Sequence, residues 1–238
     1  DLLFIPIKKI YFIEKMNPYL RIALMIVINI ISFKLAGFWF GILATAIVIY
    51  RILNIIGILK SPSLYRGPFY EGVAFTKDYT GSYSQKEDAF KDAYNLINLF
   101  KLQDFVPIGI YFDSPGKVEE SKLRCSIGIY KKNVGFPEKL PEEFERYCEQ
   151  NGYNKSELPN ATSIYCSWDY FNHFNLKLGI KKFHDKMKES LQSSYFKRSF
   201  NINESKLKAT IHLLGKDSIE FFVPILNGDK FMVFKKDK

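Results

Sequence analysis

A chain of 238 residues with 47% apolar side chains can fill one or two buried cores, and nothing in it reads as disordered. Its net charge of +9 is uneven: residues 1–60 carry seven basic and two acidic side chains, whereas the rest is close to balanced. The excess therefore marks the N-terminal segment rather than a nucleic-acid face, and no nucleic acid is expected among the partners.

The first 60 residues read as a membrane anchor. Between Tyr19 and Leu59 the only charges are Arg21, Lys34 and Arg51. Residues 35–59 are apolar for long enough to cross a bilayer, with Trp39 and Tyr50 near the two ends, while 20–33 is a shorter apolar stretch. The expectation is one transmembrane helix or a helical hairpin turning near Lys34 and Gly37. Before it, 1–18 reads as an interfacial segment. Lys235-Lys236-Asp237-Lys238 at the other end has the form of a dilysine retrieval signal.

After Ser61-Pro62-Ser63 the pattern changes to alternation, so 61–238 is expected to be a separate soluble domain. Residues 69–79 read as a strand. Ser84 and Glu87 have capping-box spacing, and Ala89, Ala93, Ile97 and Phe100 give 85–101 one apolar helical face. Strands follow at 106–112 and 123–130, joined through Asp113-Ser114-Pro115-Gly116. A helix near Pro141 carries Phe144 and Cys148 on one face and ends at Gly152. Then the order returns: a strand at 161–168, a helix marked by Leu176, Ile180, Phe183 and Met187, and strands at 207–214 and 218–225. Two βαββ units are thus predicted, packed together with a groove at their junction.

Chemistry is harder to find. Cys125, Cys148 and Cys166 lie far apart without metal-ligand spacing, which points to a reducing compartment. His173 and His184 are about three helical turns apart, too far to share a metal ion. No nucleophile elbow or phosphate-binding loop occurs, so no cofactor, no metal and no enzymatic activity are expected. The three sequons, at Asn154, Asn160 and Asn203, read as chance. Tyr79, Tyr111, Tyr165, Trp168 and Phe222 all fall on predicted strands, and as groove lining they would take an apolar small molecule or a partner helix.

The run Ile110-Tyr111-Phe112-Asp113-Ser114-Pro115, with Leu123-Arg124-Cys125-Ser126-Ile127-Gly128 and the later Ile219-Glu220-Phe221-Phe222-Val223-Pro224-Ile225, resembles the GyrI-like domain family over about residues 66–234. The resemblance implies an α+β fold: an N-terminal membrane anchor followed by a GyrI-like domain of two βαββ repeats. It implies a concave face that receives hydrophobic or cationic small molecules, and a place on the endoplasmic reticulum with the domain in the cytosol. His212 stands where ligand-binding members carry an acidic residue on the penultimate strand. Some members hydrolyse small molecules with groove carboxylates and a Trp, which singles out Glu220 and Trp168. The expected ligand-binding set is accordingly Tyr111, Tyr165, Trp168, His212, Glu220 and Phe222.

The resulting functional expectation is a membrane-anchored, non-enzymatic binding or adaptor domain, with the lipid bilayer, protein partners within a membrane assembly and an apolar small molecule as partners. Two alternatives stand beside it: a structural accessory subunit of a membrane complex, for instance in the mitochondrial inner membrane, and a small-molecule hydrolase.

Overall fold

Asn17 accepts the Tyr19 amide proton on its side chain (2.9 Å), and Pro18, with no amide to leave unpaired, opens the first described helix. The computed structural model describes residues 16–36, 38–132 and 140–233. They form two compact units, one of the residues up to 61 with 171–179, the other of 62–170 and the residues from 180 on.

In the first unit α1 (Pro18–Ala36) packs against α2 (Phe38–Ile55). Asn29 donates through Nδ2 to Thr45 Oγ1 (3.1 Å), and Thr45 donates to the Gly41 carbonyl (2.8 Å), so these two polar side chains are satisfied between the helices. Gly57, left-handed at φ 85°, closes the second helix while the Ile58 amide reaches back to the Leu53 carbonyl (2.9 Å). From 171–179, Phe171 meets the Tyr19 ring edge-on at 5.3 Å, and Asn175 Nδ2 donates to the Ile56 carbonyl (2.8 Å).

This division corrects the expected anchor. The apolar run 35–59 is shared out: α1 takes its first two residues, and the Gly57 turn stops α2 at Ile55. The 18 residues of α2 rise only ~27 Å against a hydrocarbon core of ~30 Å, and α1 carries Arg21 and Lys34. Among the described residues no helix is long and apolar enough to cross a membrane. The transmembrane helix or hairpin, the bilayer as a partner, the integral-membrane localisation in endoplasmic reticulum or mitochondrion, and the membrane-anchored adaptor and membrane-subunit readings are withdrawn with it. Residues 1–15, Gly37 and the Lys-rich closing residues 234–238 lie outside the described residues, and so do the expectations placed on them.

The second unit is built on an eight-stranded antiparallel sheet: β1 (Tyr65–Phe69), β2 (Gly72–Thr80), β3 (Phe105–Tyr111), β4 (Arg124–Lys132), β5 (Asn154–Leu158), β6 (Ala161–Asp169), β7 (Thr210–Leu214) and β8 (Ser218–Pro224). The strand order is β1-β6-β8-β7-β3-β4-β2-β5. With α3 (Glu87–Leu99), α4 (Glu142–Gln150), α5 (His173–Gln192) and α6 (Ser194–Phe200), the doubled order is present as β2-α3-β3-β4 and β6-α5-β7-β8. The halves meet where β7 pairs with β3.

Each half also carries a short leading strand that was not expected, and each of these pairs with the opposite half: β1 with β6, and β5 with β2. This exchange forces curvature. Phe69 and Gly72 are three residues apart and at most ~11 Å distant, yet six strand spacings separate β1 from β2, about 29 Å in a flat sheet. The sheet therefore curls until its edges approach. There Glu71 donates its amide to Asn160 Oδ1 (2.9 Å), Asn160 Nδ2 donates to Glu71 Oε2 (3.0 Å), and Tyr130 donates its hydroxyl to the Tyr70 carbonyl (2.8 Å).

Alternation then assigns two faces. On the convex face α3 buries Ala89, Ala93 and Leu96, and the Phe183 ring of α5 stacks flat on Phe221 at 4.3 Å. The concave face collects Phe69, Ile108, Ile110, Tyr130, Ile211 and Phe222, all buried, with Phe231 added from a short turn after β8. Among the described residues no α-helix contributes to that inner cluster.

Candidate functional site

The curl and the strand alternation together decide which candidate residues share a surface. On β6 and β8, Tyr165 and Phe222 are direct cross-strand partners with ring centroids 5.1 Å apart, and both belong to the concave cluster. Glu220, two residues before Phe222, faces the same way. Tyr165 donates its hydroxyl to Glu220 Oε1 at 3.0 Å. Burial, and after it the negative charge of Glu220, raises the Tyr165 phenol above its ordinary value, so it stays a donor. Glu220 is half-buried and, among the described residues, pairs with no basic side chain.

Tyr111, Trp168 and His212 lie on the other face. His212 is almost fully buried on β7, within 4.5 Å of the Tyr111 ring, 4.9 Å of Phe221 and 5.7 Å of His184, measured between centroids. Its Nε2 is buried without a hydrogen-bond partner. Burial, then the neighbouring His184, pulls its pKa well below the ordinary histidine value, so it is neutral at physiological pH. Trp168 is buried opposite Ile219, with the Lys182 ammonium 6.0 Å from its ring. The six candidates thus divide three and three, and Glu220 and Trp168, the pair singled out for hydrolysis, sit on opposite faces of neighbouring strands.

Sequence reading missed a second carboxylate on the concave face. Ser126 on β4 stands opposite Asp78 on β2 and donates to Asp78 Oδ1 (2.5 Å). In the second half Ser167 on β6 stands opposite Glu220 on β8. The two halves therefore present the same hydroxyl and carboxylate pairing with the roles of the strands exchanged. Aligning the two repeats position by position, β2 on β6 and β4 on β8, is the signal that exposes it. Between the pairs the floor is apolar: Ile110 lies opposite Ser126 and Ile211, and Leu213 opposite Glu220 and Ile108.

Other chemistry is muted. Burial pushes the Cys125 and Cys148 thiols up to about 12 and Cys166 to about 11, so all three stay protonated. Among the described residues no group of three or more His, Cys, Asp or Glu could hold a metal ion. A separate cleft of about 260 Å³, lined in part by Lys101, Asp104 and Lys131, holds none of the six candidates.

No protein-family model matches the chain. No curated protein sequence matches it either. Solved structures give a distant structural match to the GyrI-like ligand-binding fold. EcmrR in its complex with DNA is similar at TM-score 0.43 and 7% identity, over 83% of this chain and 76% of that one. SAV2435 bound to tetraphenylphosphonium matches at 0.42 and 11%, over 70% and 94%. A hydrolase encoded by lin2189 from Listeria innocua matches at 0.39 and 10%, over 69% and 91%. At these scores the likeness transfers no residue's role and no activity. It does remove two exclusions made from sequence: one such chain is bound to DNA and another is described as a hydrolase, so neither the absence of a nucleic-acid partner nor a non-enzymatic domain is carried forward.

Proposed function

We propose that the concave face of the curled sheet binds a small apolar molecule bearing a positive charge, with Glu220 as its counter-ion and Tyr165 and Phe222 as its aromatic walls. The observation that carries this reading is a half-buried carboxylate set among aromatic and aliphatic side chains, oriented by a tyrosine hydroxyl and pairing with no basic side chain among the described residues. Removing a carboxylate from water without a countercharge is costly, and a ligand cation offsets that cost as it buries its own apolar surface. Tyr111, Trp168 and His212 enter the proposal as the packing that holds β3, β6 and β7 in place from the far side.

Titration calorimetry of the full chain with decyltrimethylammonium and with decanol, its uncharged counterpart, tests it. Glu220→Gln is expected to weaken the ammonium at least tenfold, about 1.4 kcal/mol, and to leave the alcohol unchanged. Equal losses for both probes, or none, overturn it.

One observation favours a second reading, a small-molecule hydrolase: the short Ser126 to Asp78 hydrogen bond shares the concave face with Glu220. Product release from ester-bearing probes in the same titrations decides for or against it. Within GyrI-like domains, the motif blocks at 110–115 and 219–225 favour a kinship with testis-expressed protein 264; a strand register in that protein that sets these blocks on different strands would remove it.

A further inference from the structure

The aromatic rings of the concave face form a connected row. It runs from Tyr165, bonded to Glu220, through Phe222 to Phe69, with centroid spacings of 5.1 and 5.3 Å, and there divides to Tyr130 on β4 (5.4 Å) and to Phe231 (5.3 Å). All but the last stand on strands. Phe231 is fully buried, yet it comes from the short turn Gly228–Phe231 outside the sheet. That turn is fixed through its backbone: the Lys230 amide donates to the Asn227 carbonyl (3.0 Å) and the Val233 amide to the Phe231 carbonyl (2.8 Å). It also lies tight on its neighbour, since a Cβ at Gly228 would fall 2.5 Å from the Lys206 carbonyl oxygen.

Resting on the groove reading above, we propose that Phe231 determines ligand size, closing the far end of the groove and limiting the length of apolar chain that can extend from a cation held at Glu220. A strand residue in that position would be fixed by two neighbouring strands. Phe231 stands on one turn, so shortening its side chain removes a ring packed on Phe69 of β1 but leaves every strand's backbone pairing in place. Cavities lined by apolar side chains stay dry and accept apolar ligands of matching size, so the space left by a shortened side chain is available to a longer chain.

The test is a series of n-alkyltrimethylammonium ions from hexyl to tetradecyl, each below its micelle-forming concentration, titrated into the wild-type chain, Phe231→Leu and Phe231→Ala. Glu220→Gln in each background subtracts binding elsewhere on the chain. Each methylene that finds apolar surface tightens binding about fourfold, so affinity climbs with length until the groove is full and then levels. In Phe231→Ala the levelling point is expected to move out by two or more carbons while the short members keep wild-type affinity within about twofold, with Phe231→Leu between them. Should Phe231→Ala not fold, judged by near-ultraviolet circular dichroism, Phe231→Leu alone must show the shift. Glu220-dependent binding that levels at one length in all chains overturns the size-limiting role and leaves the groove reading intact. No Glu220-dependent binding in any chain overturns the groove reading, and this inference with it.

Discussion

His212 occupies a position where an imidazole gains packing and no acceptor: aromatic rings and a second histidine surround it, and its Nε2 is unpartnered. Its folded pKa is depressed by burial and by His184, so the unfolded chain binds the proton more readily. Stability is therefore full above the unfolded value near 6.5 and falls as pH drops below it, by up to about 1.4 kcal/mol per pH unit for this one proton. His184 adds a slope of the same sign, its pKa lowered by burial against the opposing pull of Asp185. Asp113, held low by Arg124, contributes only at more acidic pH. Urea midpoints between pH 6.5 and 5 should show His212→Leu losing less stability per pH unit than wild type; parallel slopes would end this account. The same residue shows what sequence left open. A strand position fixes a face only relative to its neighbours, and on β8 one face carries Ile219, Phe221 and Val223 while the other mixes Ser218 and Glu220 with the buried Phe222 and Pro224. The alternation separates Glu220 from its own neighbours, but which face of β6 and β7 it joins, and so its separation from Trp168 and His212, follows only from the register.

At the scale of elements, long periodic stretches were legible and short polar ones were not. The helix over 85–101 is present but starts later: Ser84 lies in a preceding turn with its hydroxyl against Ser82, so the capping box does not form and α3 begins at Glu87. Tyr83 accounts for that turn, its hydroxyl donating to the Arg124 carbonyl (2.8 Å) beside Asp113. β1 contains Gly67 and Pro68, and β5 reads Asn-Lys-Ser-Glu-Leu; both resemble turns in isolation and become strands because a partner edge is available. α6 is a single short helix whose start is marked by Ser193 accepting the Phe196 amide (3.3 Å). The end of α3 carries a strained position: Lys101 is left-handed at φ 53° while the Leu102 amide reaches the Ile97 carbonyl (2.9 Å). Glycine adopts that conformation without the Cβ clash, so Lys101→Gly is expected to stabilise the domain by about 1 kcal/mol. Thermal unfolding checks it, and an unchanged or lower midpoint would show that the strain is absorbed elsewhere.

Across the whole second unit, the doubled order could be read from the chain, but the exchange of leading strands could not, because nothing local distinguishes β1 paired with β2 from β1 paired with β6. The exchange makes the halves interdependent. If the chain is made as two pieces, one ending at Lys132 and one starting at Leu140, each lacks the strand that covers an edge of its own sheet. Co-expressed, the pieces are expected to purify as a one-to-one complex that unfolds cooperatively; a cooperative, monomeric fold from either alone would show the interlock to be dispensable. The inner cluster explains why interdependence is tolerated: Phe69 from the first leading strand and Leu158 from the second enter one shared core.

A solitary unit of this pattern, one leading strand followed by βαββ, can repeat the exchange seen here only by seating that strand on an identical twin. Two such twins would embrace about a twofold axis and cross-deposit their first strands, giving the arrangement seen here within one polypeptide. The doubled chain thus holds within itself the topology of a homodimer, while its two carboxylate and hydroxyl pairs, with the strands' roles exchanged, depart from that symmetry at the side chains.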